Sequence, residues 1–346
     1  MYTALPPPFP VDFFTNLIKR LMAGLLYASV ILSTTYAQSD TIPENMDWES
    51  YADSWVWEAY MLYDSGEYRR SLDTLQSAFL TLDGRLQPTA FQIAEMHHLS
   101  GSASYELGYY LDAIRHFKKA LVTLNAQDSS DHEYLAHIYD LLGSVYAESG
   151  DADEGLQYYK QSIAEYNLHK SDREGLLSAK YNFGFTSLET GDMATARKAL
   201  REAWQQVDSS ISDYVVFDIT DALGDYYRLT SKFDSALMFY DLAQNALNNI
   251  GVGKSANYHH SIGKLHFDKG ELDQALKEMQ LSLKYAKQHY NSKHPQVALR
   301  YNDIAEIYFE KNDIENALQH YDNARMMLVK NIDDPLKTSD RPELLE

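Results

Sequence analysis

The chain has 346 residues, 45% of them hydrophobic and 13% aromatic, which is enough apolar material to bury a core and argues against a disordered polymer. Thirty basic against fifty acidic residues give a net charge of −20 with no basic stripe, so a phosphate backbone would be repelled and nucleic acid is disfavoured as a partner. The absence of cysteine excludes disulfides, a thiol nucleophile and zinc–thiolate sites, but leaves the redox compartment open.

The amino end reads differently from the rest. Lys19 and Arg20 precede the apolar run LMAGLLYASVILS, and Thr35 and Ala37 then frame a cut before Gln38. This is the pattern of a secretory signal peptide over residues 1–37, with 38–51 as a linker, and it predicts an exported chain, periplasmic or extracellular. The run is shorter than the ~20 apolar residues that span a bilayer, so a membrane anchor over residues 17–36 is the alternative, and membrane contact is expected only if this segment stays uncleaved.

From about residue 52 to 330 the chain is almost free of proline and carries apolar residues at helical spacing, which predicts an all-α fold. One frame recurs seven times, in stretches such as HLSGSASYELGYYLDAIRHFKKAL and HSIGKLHFDKGELDQALKEMQLSL, with copies starting near 52, 94, 136, 177, 217, 256 and 298. Its shared small residue is Ala59, Gly101, Gly143, Gly184, Gly224, Gly263 and Ala305, at spacings of 39 to 42. A near-fixed period in this range indicates stacked supersecondary units, because one helix pair cannot bury its face alone.

The frame explains its own residue types. Seven beyond the small residue stands a turn residue (Gly66, Gly108, Gly150, Gly191, Ser231, Gly270, Asn312), suited to a left-handed helix cap. Twelve and nineteen beyond it are further small residues, which let paired helices approach closely. Sixteen beyond it is a large one (Leu75, Phe117, Tyr159, Leu200, Tyr240, Met279, Tyr321), expected to fill the space between pairs.

This small-large-small spacing resembles the tetratricopeptide repeat, over residues 52–330, and Trp55 matches that family's tryptophan in the first copy. The resemblance implies a right-handed α-solenoid of about seven helix pairs. The copies exceed the usual repeat length, as in arrays of kinesin light chain type, with the excess in polar links such as NAQDSSDHE and HYNSKHPQ.

The third copy opens on HEYLAH, His132 to His137, which is close to a zinc-protease motif. There the two histidines stand four apart on one helical face; here they stand five apart, about 140° around a helix. His132 is expected in the link and His137 on the first helix, facing the groove beside Asp140 and titrating near neutrality, so no metal is expected. A shared ion between copies is conceivable only for residues such as His98 and His137. With no nucleophile elbow and no phosphate loop, no catalytic residue and no cofactor is expected.

The resemblance places function on the concave face, lined in this family by the second, fifth, ninth, twelfth and thirteenth positions of each first helix. The candidate groove residues are Tyr60, Tyr63, His98, Tyr105, His137, Asp140, Tyr181, Phe185, Asp218, Asp221, Asp225, His260, Phe267, Asn302, Glu306 and Phe309. Acids far outnumber the two basic residues on this face, Arg228 and Lys264. Such a channel would attract a basic or arginine-bearing protein segment and repel acidic tails. The competing reading is that the acids keep the array soluble while the aromatics pack between helices.

Beyond the seventh copy, residues 331–346 form a tail or the start of a further helix, with Asp340, Pro342 and Glu343 as start signals. The long repeats, the export-type start and PELLE also resemble the amino-terminal array of bacterial proteins that join tetratricopeptide repeats to a CHAT peptidase domain. The expected function is a non-enzymatic protein-binding scaffold. The alternative is the regulatory or sensor part of a truncated or split multidomain enzyme of that kind.

Overall fold

The computed structural model describes residues 48–82, 89–125, 132–169, 172–250, 254–290 and 294–329. The signal-peptide segment 1–37, its anchor alternative 17–36, most of the 38–51 linker and the 331–346 tail lie outside them. Among the described residues there are fourteen helices and no strand. They run α1 (Trp48–Asp64), α2 (Tyr68–Leu82), α3 (Ala90–Glu106), α4 (Tyr110–Asn125), α5 (His132–Ser149), α6 (Ala152–His169) and α7 (Arg173–Glu189). Then follow α8 (Met193–Trp204), α9 (Asp213–Leu229), α10 (Phe233–Ile250), α11 (Ser255–Asp268), α12 (Leu272–His289), α13 (Pro295–Glu310) and α14 (Ile314–Val329). They form seven pairs, and the described residues fall into two compact units that part after Asn182, within α7.

Each pair turns on the same chemistry. Gly66, Gly108, Gly150, Gly191 and Gly270 have positive φ, and so do Ser231 (φ 56°) and Asn312 (φ 58°). At Gly108 the amide donates to the Tyr105 carbonyl at 2.8 Å and the next amide, of Tyr109, to the Ser104 carbonyl at 2.8 Å. That pair of bonds is the Schellman closure, which satisfies the helix-end carbonyls and reverses the chain. Helix starts are equally local: Thr89 and Gln92 form a capping box on α3, Asp192 caps α8, and His294 with Pro295 opens α13.

Within the first unit, Leu75, Phe117 and Tyr159 are buried, and within the second so are Leu200, Tyr240 and Met279. The large residue does more than fill the space between pairs: it lies directly on the small residue of its own pair. A Cβ added to Gly101 would stand 2.6 Å from Phe117, and one added to Gly224 would stand 2.3 Å from Tyr240. Absence of a side chain is therefore what admits the ring.

Successive pairs are also tied by polar bonds. The residue four past the small one reaches the acid five past it in the next copy. Tyr105 donates to Glu148 at 2.5 Å in the first unit, and Arg228 to Asp268 at 2.5 Å in the second. The other large residue, Tyr321 of the last pair, is 42% exposed.

Candidate ligand-binding face

The first helices of the pairs, α1, α3, α5, α7, α9, α11 and α13, carry every candidate groove residue. In the first unit most of these are withdrawn from solvent: Tyr60, Tyr63, His98, Tyr105, His137, Asp140 and Tyr181 are all buried. His98 stands 3.0 Å from the Tyr134 hydroxyl, and its ring meets that of His137 edge-on at 5.1 Å. The structure thus brings His98 and His137 together. It adds no further ligands: among the described residues no group of three or more His, Asp or Glu could hold a metal ion.

His132 belongs to α5 rather than to a link, because the helix already starts there. It is exposed, 3.1 Å from Glu165, while His137 of the same helix is buried. The two histidines of HEYLAH therefore sit on different faces of one helix, as a five-residue step requires.

Asp140 lies under Asn182, whose Nδ2 donates to both carboxylate oxygens at 3.1 Å. Burial pushes the Asp140 carboxyl up to about 7, with Asp172 adding to the effect and the Asn182 bond opposing it. Glu106 is likewise raised to about 7 by burial, with Glu148 as the second cause. Burial drives His97 and His116 the other way, to about 3 and about 4.

A carboxyl raised on folding stabilises below its unfolded value and loses that contribution as pH rises through its folded value. A histidine lowered on folding contributes above its ordinary 6.5 and is lost as pH falls. The two effects oppose each other between about pH 7 and 4, and a substitution separates them. Asp140→Asn is expected to be more stable than the parent near pH 8 by on the order of 3 kcal/mol, since each pKa unit is worth about 1.4 kcal/mol. The advantage shrinks as pH falls below about 7 and is gone only near the ordinary carboxylate value of about 4; thermal melts followed by circular dichroism at both ends check it.

In the second unit Asp218, Asp221 and Asp225 line one side of α9 at helical spacing. Two of them are already paired. Lys254 Nζ lies 2.8 and 3.0 Å from the Asp218 oxygens. Asp225 accepts from Arg228 Nε at 3.0 Å and from the Tyr240 hydroxyl at 2.8 Å. Asp221 accepts from Ser261 at 3.0 Å through Oδ2, while its Oδ1 is buried without a hydrogen-bond partner. Burial, then the charge of Asp225, pushes the Asp221 carboxyl well above the usual range.

Nearer the end of this unit His260 Nε2 stands 3.3 Å from Asp303, and Lys264 bridges Asp303 at 2.8 Å and Glu306 at 3.3 Å. Burial, with Arg300 next, pushes His260 down to about 3. Phe185, Phe267 and Asn302 are half-buried, and Glu306 and Phe309 are exposed.

The partners Asn182, Ser261, Asp303 and Lys254 are not among the sequence-derived residues. Three share a rule: each sits one position past the fifth of its copy and bonds the fifth-position residue of the preceding one. These pairs are Asn182 with Asp140, Ser261 with Asp221, and Asp303 with His260. The signal was a polar residue where other copies carry Trp57, Leu99, Leu141 or Ala222. Among the described residues no helix is long and apolar enough to cross a membrane.

A family model described as tetratricopeptide repeat matches residues 92–167 and 254–325. No curated protein matches the sequence. Among solved structures, NprR in complex with its cognate peptide NprX is similar at a TM-score of 0.64 and 14% identity, over 89% of this chain and 88% of that one. The Rap conjugation gene regulator of plasmid pLS20, solved with a Phr peptide, is similar at 0.63 and 16% identity, over 85% and 80%. A tetratricopeptide repeat protein from Parabacteroides merdae is similar at 0.51 and 14% identity, over 80% and 93%. Two segments of the chain are thus tetratricopeptide repeats, and its described part is built as seven helix pairs on that repeat's plan.

Proposed function

We propose that the chain is a non-enzymatic scaffold that binds an extended, basic protein segment on the first-helix face of its second unit, with Asp221 as the residue that receives the cation. The observation that carries this reading is the state of the three acids of α9. Asp218 and Asp225 have cations of their own in Lys254 and Arg228, whereas Asp221 Oδ1 has no partner. A buried acceptor without a donor costs free energy, and an arriving ammonium or guanidinium would supply the missing bond and, by opposing the burial that raises the carboxyl, hold it ionised. Phe185, Phe267 and Phe309 offer apolar and aromatic surface on the same kind of helix face. NprR and the Rap regulator, similar in fold, were both solved with peptides. Export of the scaffold is part of the proposal and rests on the sequence of residues 19–37 alone.

The test is fluorescence polarisation of labelled extended peptides, one carrying arginines and one of equal length carrying glutamates. The arginine peptide should bind preferentially and weaken as salt is raised, and Asp221→Asn should weaken it by about tenfold, the equivalent of about 1.4 kcal/mol. Equal binding of both peptides, or affinity indifferent to salt and to Asp221→Asn, would refute the reading.

A further inference from the structure

The last described helix pair carries the stacking residues of an interior pair but presents them to solvent. Six of the seven large frame residues, Leu75 to Met279, are buried to 1% exposure or less, whereas Tyr321 is 42% exposed. Four past the small residue, Tyr63, Tyr105 and Leu188 are buried, whereas Phe309 is 55% exposed. Ile314 and Leu318, 45% and 61% exposed, continue the same face, whose counterparts Tyr68, Leu72, Tyr110 and Ile114 are partly buried. Ile314, Leu318 and Tyr321 stand at i, i+4 and i+7 on α14, a single apolar stripe. A stripe of this kind on an otherwise charged chain marks an interaction surface.

We infer that this face docks against the same face of a second copy of the chain, the two α14 helices lying antiparallel about a two-fold axis between Leu318 and Tyr321. Charge selects this occupant. The stripe ends in Arg325, 69% exposed in its side chain and 3.4 Å from Asp322 of its own helix. Its other end is flanked by exposed Glu315. An antiparallel pairing sets Leu318 of each copy on Tyr321 of the other and brings each Arg325 beside the opposite Glu315. A two-fold contact is self-complementary and closes at two subunits. A head-to-tail stack has no such match, because the outward face of α1 presents exposed Ser54 and Glu58 around Met61, and would set an acid against the apolar stripe.

Sedimentation of the full chain from about 1 to 100 μM tests the inference. The expected result is a dimer that dissociates on dilution and becomes monomeric in Leu318→Glu, with helicity unchanged and with melting unchanged at dilutions where the parent is itself monomeric, because Leu318 faces solvent within one chain. Arg325→Glu should weaken the dimer by about tenfold or more, and adding Glu315→Arg should restore it. A chain monomeric throughout overturns the proposal, including the case in which hydrogen exchange finds the α14 face covered by residues 330–346 of the same molecule. So does a dimer indifferent to Leu318→Glu, or an Arg325→Glu loss that Glu315→Arg leaves unrepaired.

Discussion

Phe117→Ala is expected to destabilise the protein by about 3–5 kcal/mol, the usual cost of emptying a well-packed aromatic site. Phe117 is fully buried and its ring lies where a Cβ on Gly101 would be, 2.6 Å away. Two rigid helices frame the ring, so the walls cannot close on the void. The reverse change gives a second handle. Gly101→Ala adds helix propensity worth about 1 kcal/mol but forces a methyl group into Phe117, and overpacking of that kind costs about 1–3 kcal/mol. Combining Gly101→Ala with Phe117→Leu should be less damaging than the sum of the two, because the smaller side chain vacates the space that the methyl needs. Urea unfolding of the four proteins reads out the coupling; strict additivity would show that the ring and the glycine do not share that space.

The same contact explains what could be read from the residues alone. A small residue and a large one sixteen later, repeated seven times, are informative because each occurrence answers the same steric demand. The turn positions were legible even at Ser231 and Asn312, which adopt the left-handed conformation without being glycine. What each lining acid faces was not legible. Asp140 looks like groove surface within its own copy, but its fate is set by Asn182, 42 residues on. Asp221 and His260 are likewise engaged from the following copy. A frame read one copy at a time shows which side of a helix a residue is on, and not which neighbour covers it. His132 was misplaced for a different reason: the repeat frame begins its count at Ala136, whereas Asp131, a residue type that starts helices, stands directly before His132 in the sequence and was passed over as part of the polar link.

Lys254 yields the second large effect. Its ammonium and the Asp218 carboxylate are 3% and 13% exposed, and they contact each other at 2.8 Å. Lys254→Met is expected to cost about 3–5 kcal/mol, because it leaves a buried charge without its partner. By contrast Arg70→Ala breaks an ion pair that is largely in water, 66% and 45% exposed, and should cost about 1 kcal/mol or less. Burial already raises the Asp218 carboxyl, and Lys254 is what opposes the rise. Removing Lys254 raises it further, so the penalty should be larger near pH 8 than near pH 5, because the folded carboxyl can relieve its unpaired charge by taking up a proton as pH falls. Adding Asp218→Asn should recover most of the loss, as measured by urea unfolding at both pH values. Lys254→Met also separates folding from binding, because it strips a cation from the neighbourhood of Asp221. The variant should be less stable and yet bind an arginine peptide more tightly than the parent near pH 8, whereas Asp221→Asn should weaken binding while leaving the fold intact. A stability defect that merely disordered the face would weaken binding in both variants, so opposite signs would locate the recognition charge on α9.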